Sequence, residues 1–272
     1  MTKNLDSEGL KSIAENYDLF YIDLWGVMHN GIELHKGAIL VLQELSKMNK
    51  DFVLLTNAPR PNKTVKIFLE KMGMEKKLTD YVFTSGEASL KYLNKFYHSK
   101  KFFHIGSAKD YDLFRDLKKN KSEDIKDSQY LLCTGLFDDN CDNLNYYKAL
   151  LEKNIDKIMI CTNPDLIVDR GDFRAFCAGS IAMVFEKLGG KVIYFGKPYA
   201  EVYNQAKENK GKKILSIGDN LNTDIKGANL LNYDSLLISN GIHRNEIKNK
   251  GIQDVSKEYE AIVNFIQSDL KW

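Results

Sequence analysis

Residues 19–31 read LFYIDLWGVMHNG: an apolar run from Leu19 to Ile22, then Asp23, then Gly26 three residues on. A short run of β-branched, aromatic and aliphatic residues bounded by a turn residue is the pattern of a buried strand. The acid falls at the strand's end, where Gly26 lets the chain turn. A carboxylate in that position is costly unless something partners it. The same pattern recurs along the chain. FVLLTNAPRP (52–61) ends in Thr56 and Asn57, VIYFGKPY (192–199) in Lys197, and ILSIGDNLNTDIKGA (214–228) in Asp219, with Asp224 five residues further.

Strands are predicted over 19–24, 52–56, 81–84, 102–106, 130–134, 157–162, 192–195, 214–217 and 235–239, with helical segments between them. Ala38, Val41, Leu42 and Leu45 repeat at i, i+3, i+4, i+7, as do Tyr199, Val202, Tyr203 and Ala206. Pro198, just before the second set, suits a first helical turn because it has no N–H to leave unpaired. Strands alternating with amphipathic helices make an α/β fold around a largely parallel sheet.

In such a sheet ligands bind beyond the carboxyl ends of the strands. Four strands thus bring acids, a hydroxyl and one lysine to a single edge. Three carboxylates around one ammonium repel a phosphate dianion and one another, so a divalent cation is required, and hard oxygen ligands with bound water suit Mg²⁺. With the ion in place, Lys197, Thr56 and nearby backbone N–H groups can hold a phosphoryl group while Asp23 attacks phosphorus as a nucleophile.

The rest of the sequence bounds these expectations. The chain has 272 residues, 39 Lys and Arg against 37 Asp and Glu, and 43% hydrophobic residues. That composition supports a large folded core and argues against disorder. The charges interleave, so no segment is a basic footprint for nucleic acid. The longest uncharged stretch, Ala175 to Phe185, has 11 residues, too few to span a bilayer. A charged N-terminal stretch and four cysteines without C-x-x-C spacing predict a cytoplasmic protein with reduced thiols. A homo-oligomer is left open.

Taken together, DLWGV (23–27), LLTN (54–57), FGKP (195–198) and GDNLNTD (218–224) resemble the four motifs of the haloacid dehalogenase-like (HAD) superfamily. CTNPD (161–165) and CAGSIA (177–182) resemble landmarks of its class IIA, NagD-like, cap. The resemblance covers nearly the whole chain. It implies a Rossmann-like core of mostly parallel sheet with helices on both faces, over residues 1–97 and 191–272, interrupted by an α/β cap over 98–190. It implies Asp23 as nucleophile, Mg²⁺ held by Asp23, Asp219, the backbone carbonyl of Trp25 and Asp224, and phosphoryl contacts from Thr56, Asn57 and Lys197. Asp224 is also expected to cap the helix that opens there.

One position departs from that pattern. The family's second motif-one aspartate, which protonates the leaving group, is here Trp25, whose indole N–H donates hydrogen bonds but exchanges no proton near neutral pH. His29 is a candidate replacement acid and, with Trp25, Asn163 and Asp165, a candidate substrate contact. The reading is a hydrolase of a small phosphorylated metabolite. Its alternatives are a weakly active or inactive protein that binds a phosphorylated ligand, and a phosphonate C–P hydrolase.

Overall fold

The computed structural model describes residues 2–170 and 173–272. Its strands are β1 (Lys3–Asn4), β2 (Leu19–Ile22), β3 (Asp51–Thr56), β4 (Val82–Thr84), β5 (Phe102–Ile105), β6 (Lys121–Ser122), β7 (Tyr130–Cys133), β8 (Ile158–Cys161), β9 (Ile167–Arg170), β10 (Phe173–Phe176), β11 (Lys191–Tyr194), β12 (Ile214–Gly218), β13 (Asp234–Ile238) and β14 (Phe265–Gln267). The nine strands expected from sequence are all present. Those it did not anticipate are β1, β6, β14 and the β9–β10 hairpin.

The chain packs as two compact units: residues up to Thr56 with Lys66–Phe83 and Tyr203–Trp272, and Asn57–Val65 with Thr84–Val202. This division differs from boundaries at 97 and 191. The helix Ser85–Phe96 packs with the inserted segment, and β11 pairs in parallel with β8.

A seven-stranded sheet runs in the order β1-β14-β13-β12-β2-β3-β4, with parallel pairing from β1 through to β3. Its central strands are apolar and buried along their length, as a sheet covered on both faces requires. From β2 the chain proceeds to β3 and β4 on one side, and later to β12, β13 and β14 on the other. The order therefore reverses between β2 and β12, the crevice where open α/β sheets take their ligands. The helix Lys36–Lys47 buries Ala38, Val41, Leu42 and Leu45, the four residues its periodicity marks. Each such side chain contributes roughly 1.5–3 kcal/mol of burial when large and aliphatic.

The second unit holds a five-stranded parallel sheet, β11-β8-β7-β5-β6, and the antiparallel pair β9–β10. Its core includes Leu131, Cys133, Met159, Cys161, Ile181 and Phe185. The helix Ala200–Ala206 opens two residues after Pro198, so Tyr199 and Pro198 precede it rather than form its first turn. All four cysteines are free thiols. Among the described residues no helix is long and apolar enough to cross a membrane.

Candidate active site

Strand register assembles the site. Ile22 of β2 lies opposite Ile217 of β12, and the Asp23 N–H donates to the Ile217 carbonyl at 2.9 Å. Asp23 and Asp219 thus leave adjacent strands at the same edge, although 196 positions separate them. The turn after Asp219 is opened by Asn220, whose side chain accepts from Asn222 N–H and so supplies the cap expected of Asp224. Asp224 instead accepts from the Asn220 N–H at 3.2 Å. One carboxylate oxygen from each of Asp23, Asp219 and Asp224 lies within 4.8 Å of the others, and all three residues are buried. It is the one such acidic or metal-ligating cluster among the described residues.

Two glycines make room for Asp219. A Cβ on Gly26 would stand 2.2 Å from Asp219 Oδ2, and its φ of +82° is one that side chains resist. A Cβ on Gly241 would stand 2.1 Å from the same oxygen. The loop after β13 then contributes a bond: the Ile242 N–H donates to Asp219 Oδ2 at 2.9 Å. Sequence reading missed this loop. Its signal was the turn-forming triplet Ser239-Asn240-Gly241 at the end of an apolar strand.

Three ionised carboxylates this close oppose one another by about 3–4 kcal/mol per pair at an effective dielectric of ~20. Glycines that admit the carboxylates and oxygen donors that repel one another are what a divalent cation fits. The donor set is hard oxygen throughout, which suits Mg²⁺ or Ca²⁺ over thiophilic metals.

Thr56 is buried at the end of β3, beside β2 in the same sheet. In the second unit, Asn57 uses its amide in full. Nδ2 donates to the Lys197 carbonyl and to Asp165 Oδ1, each at 3.0 Å, and Oδ1 accepts from the Lys197 N–H at 2.7 Å. Both amide hydrogens are therefore committed. The Asn57 side chain thus positions the Lys197 backbone. Gly196 is required there, because a Cβ would stand 2.5 Å from Asn57 Oδ1. Lys197 is 2% exposed, and an ammonium so buried needs an anionic or hydrogen-bonding partner. Asn163 Oδ1 accepts from the Asp165 N–H at 3.0 Å in an Asx turn, and Asp165 Oδ1 accepts from Asn57 Nδ2.

His29 is buried. Its Nδ1 accepts from the Gly31 N–H at 3.0 Å, and its ring meets Trp25 and Phe68 edge-on. Burial, then the nearby His35, pushes its pKa down to about 4, so it is neutral at pH 7. A neutral imidazole whose Nδ1 is taken is poorly suited to give up a proton.

The description "Haloacid dehalogenase-like hydrolase" matches residues 20–118, and "HAD-hydrolase-like" matches 194–263. No curated protein matches the chain. Among solved structures, a haloacid dehalogenase-like hydrolase from Brucella suis 1330 is 31% identical, with a TM-score of 0.78 over 87% of this chain and 90% of that one. A 4-nitrophenylphosphatase from Thermotoga maritima is 24% identical, with a TM-score of 0.71 over 95% and 96%. A glycerol phosphate phosphatase from Mycobacterium tuberculosis, solved in complex with calcium, is 22% identical, with a TM-score of 0.63 over 85% and 68%. The last two share the fold. With four motifs at the strand ends, buried carboxylates at the switch point and a relative of this identity along nearly its whole length, the chain belongs to the haloacid dehalogenase-like hydrolase family.

Proposed function

We propose that this protein is a magnesium-dependent phosphatase that acts on a small phosphorylated metabolite in the cytoplasm. The observation that carries the reading is the meeting of Asp23, Asp219 and Asp224 at the switch point of the parallel sheet. The phosphatase names of the Thermotoga and Mycobacterium proteins support it. In this reading Asp23, Asp219, Asp224 and the Trp25 carbonyl hold the ion. When bound, Mg²⁺ neutralises the carboxylates and the developing charge on the phosphoryl oxygens.

The chain's own residues do the rest. A carboxylate oxygen of Asp23 attacks phosphorus, the P–O bond to the leaving group breaks, and the electron pair departs on that oxygen. Water then attacks phosphorus and gives a proton to solvent, the bond between phosphorus and the Asp23 oxygen breaks, and phosphate leaves with the Asp23 carboxylate restored. The motif resemblance assigns the Thr56 hydroxyl and the Lys197 ammonium each to the phosphoryl oxygens, and Asn57 fixes the Lys197 backbone. The segment 98–190 serves as the cap that selects the substrate.

The test is phosphate release from p-nitrophenyl phosphate with and without Mg²⁺, in the wild type and in Asp23→Asn. Release that needs the metal and vanishes in the variant is expected. Undiminished release in Asp23→Asn removes the nucleophile. Trp25 favours a second reading, a binder that does not turn over. Thermal stabilisation by phosphorylated metabolites without phosphate release would identify it.

A further inference from the structure

The loop that follows Asp23 says what kind of leaving group the site can expel. Its residue two positions on, Trp25, is held by its own loop: the indole stands edge-on to His29, with centroids 5.2 Å apart, and a Cβ on Gly31 would lie 2.6 Å from Cη2. Gly31 has φ +89°, so the loop is shaped to seat the ring. An indole offers a hydrogen bond but no proton. His29 has its Nδ1 committed to the Gly31 N–H and its ring wedged between Trp25 and Phe68. The loop's other titratable side chains lie elsewhere: Glu33 is exposed on the turn, and His35 precedes the helix Lys36–Lys47. The indole is half-buried; in the same loop Ile32 is 77% exposed, and Phe68, 39% exposed, lies 5.8 Å from the His29 ring. Two residues after the nucleophile, where the motif resemblance expects an acid to serve an alkoxide, the loop thus carries an indole packed among apolar and aromatic side chains.

An alkoxide oxygen resembles hydroxide, whose conjugate acid, water, has a pKa of 15.7. A phenol or enol oxygen lies near that of tyrosine, about 10. The second can depart as an anion; the first needs a proton in flight, help worth about 10²–10⁴-fold. We propose that the physiological substrate is a phosphate monoester of a planar, acidic hydroxyl, a phenol or an enol, whose flat group lies against Trp25. The inference rests on the phosphatase reading above. As the Asp23–phosphorus bond forms and the phosphorus–oxygen bond breaks, the leaving oxygen keeps the electron pair and takes its proton from solvent.

The experiment is kcat/KM for nitrophenyl, chlorophenyl and phenyl phosphates and for glycerol phosphate, in Mg²⁺, for the wild type, Trp25→Asp and Trp25→Phe, with Tm measured for each. The wild type is expected to slow steadily as the leaving group becomes less acidic, with phenyl phosphate ahead of glycerol phosphate by ~10²-fold or more. Trp25→Asp should raise glycerol phosphate relative to phenyl phosphate by about tenfold. Trp25→Phe should keep the steep dependence, which guards against a folding defect in the aspartate variant. Glycerol phosphate turned over as fast as phenyl phosphate by the wild type, or a flat dependence across the aryl series, overturns the inference while leaving the phosphatase reading intact. No metal-dependent release from any ester overturns both.

Discussion

The two parallel sheets of this protein each have a point where strand order reverses, and the two points carry opposite chemistry. Between β2 and β12 three buried carboxylates crowd within 4.8 Å. Between β5 and β7 a line of hydrogen bonds occupies the same topological position. His104 Nε2 donates to Thr134 Oγ1 at 2.8 Å, Thr134 Oγ1 donates to Asp110 Oδ2 at 3.0 Å, and Asp110 Oδ1 accepts from Arg60 Nε at 3.1 Å. Burial, then Lys121, pushes the His104 pKa down to about 4, so the ring is neutral. Even the missing side chain of Gly106 is used, since a Cβ there would lie 2.0 Å from Thr134 Oγ1. One edge pairs its acid with a guanidinium and leaves no room. The other packs like charges together and makes room with glycine. Architecture alone therefore does not mark a site; the balance of charge at the edge does.

The sharpest way to break this contrast is Asp23→Asn, expected to cut phosphate release by at least ~10³-fold with Tm little changed. Full activity would place the chemistry elsewhere. Next, Gly241→Ala forces a methyl onto Asp219 Oδ2, and we expect divalent-cation affinity, read by calorimetry with Mn²⁺, to fall roughly 10–100-fold. Unchanged affinity would show that Asp219 does not depend on that clearance. Thr134→Val tests the opposite edge. It strips a partner from both His104 and Asp110 and should cost about 1–3 kcal/mol in urea unfolding, while kcat/KM stays at the wild-type value. A loss of turnover with normal stability would give that network a functional role.

The smallest effect is a pH dependence shared by both edges. His29 and His104 titrate near 4 in the fold and near 6.5 in the unfolded chain. As pH falls below about 6.5 the unfolded chain takes up protons that the fold refuses, so stability declines until about pH 4, where the folded histidines protonate too. Between pH 6.5 and 5.5 each histidine should remove roughly 1 kcal/mol. His104→Gln should halve that slope in denaturant titrations, and an unaltered slope would mean that His104 is charged in the fold.

How much of this was legible varies with the residue. Asp23, Thr56, Lys197 and Asp219 stand out because each is a polar residue closing an apolar run, and the helix Lys36–Lys47 buries the four residues its spacing marks. The β9–β10 hairpin was hidden because its strands carry charge: Asp169 faces Arg174 across the pair, and the two form an ion pair at 2.9 Å. Strand β14 has three residues and gains its definition from β1 and β13 on either side, which no local pattern reveals. The burial of His29 was not legible because it packs against Phe68, 39 positions away.

By itself the sequence determined the kind of chemistry, because side-chain type and strand periodicity are local properties. It named the acids, the hydroxyl and the lysine, and it ended strands at them. Only the tertiary structure decided which of these groups meet and which are already committed. Register between β2 and β12 brings Asp23 and Asp219 together, and a bidentate amide makes the Asn57 side chain a brace for the Lys197 backbone. Such distances depend on pairings between residues far apart in the chain, and those are fixed when the sheets form.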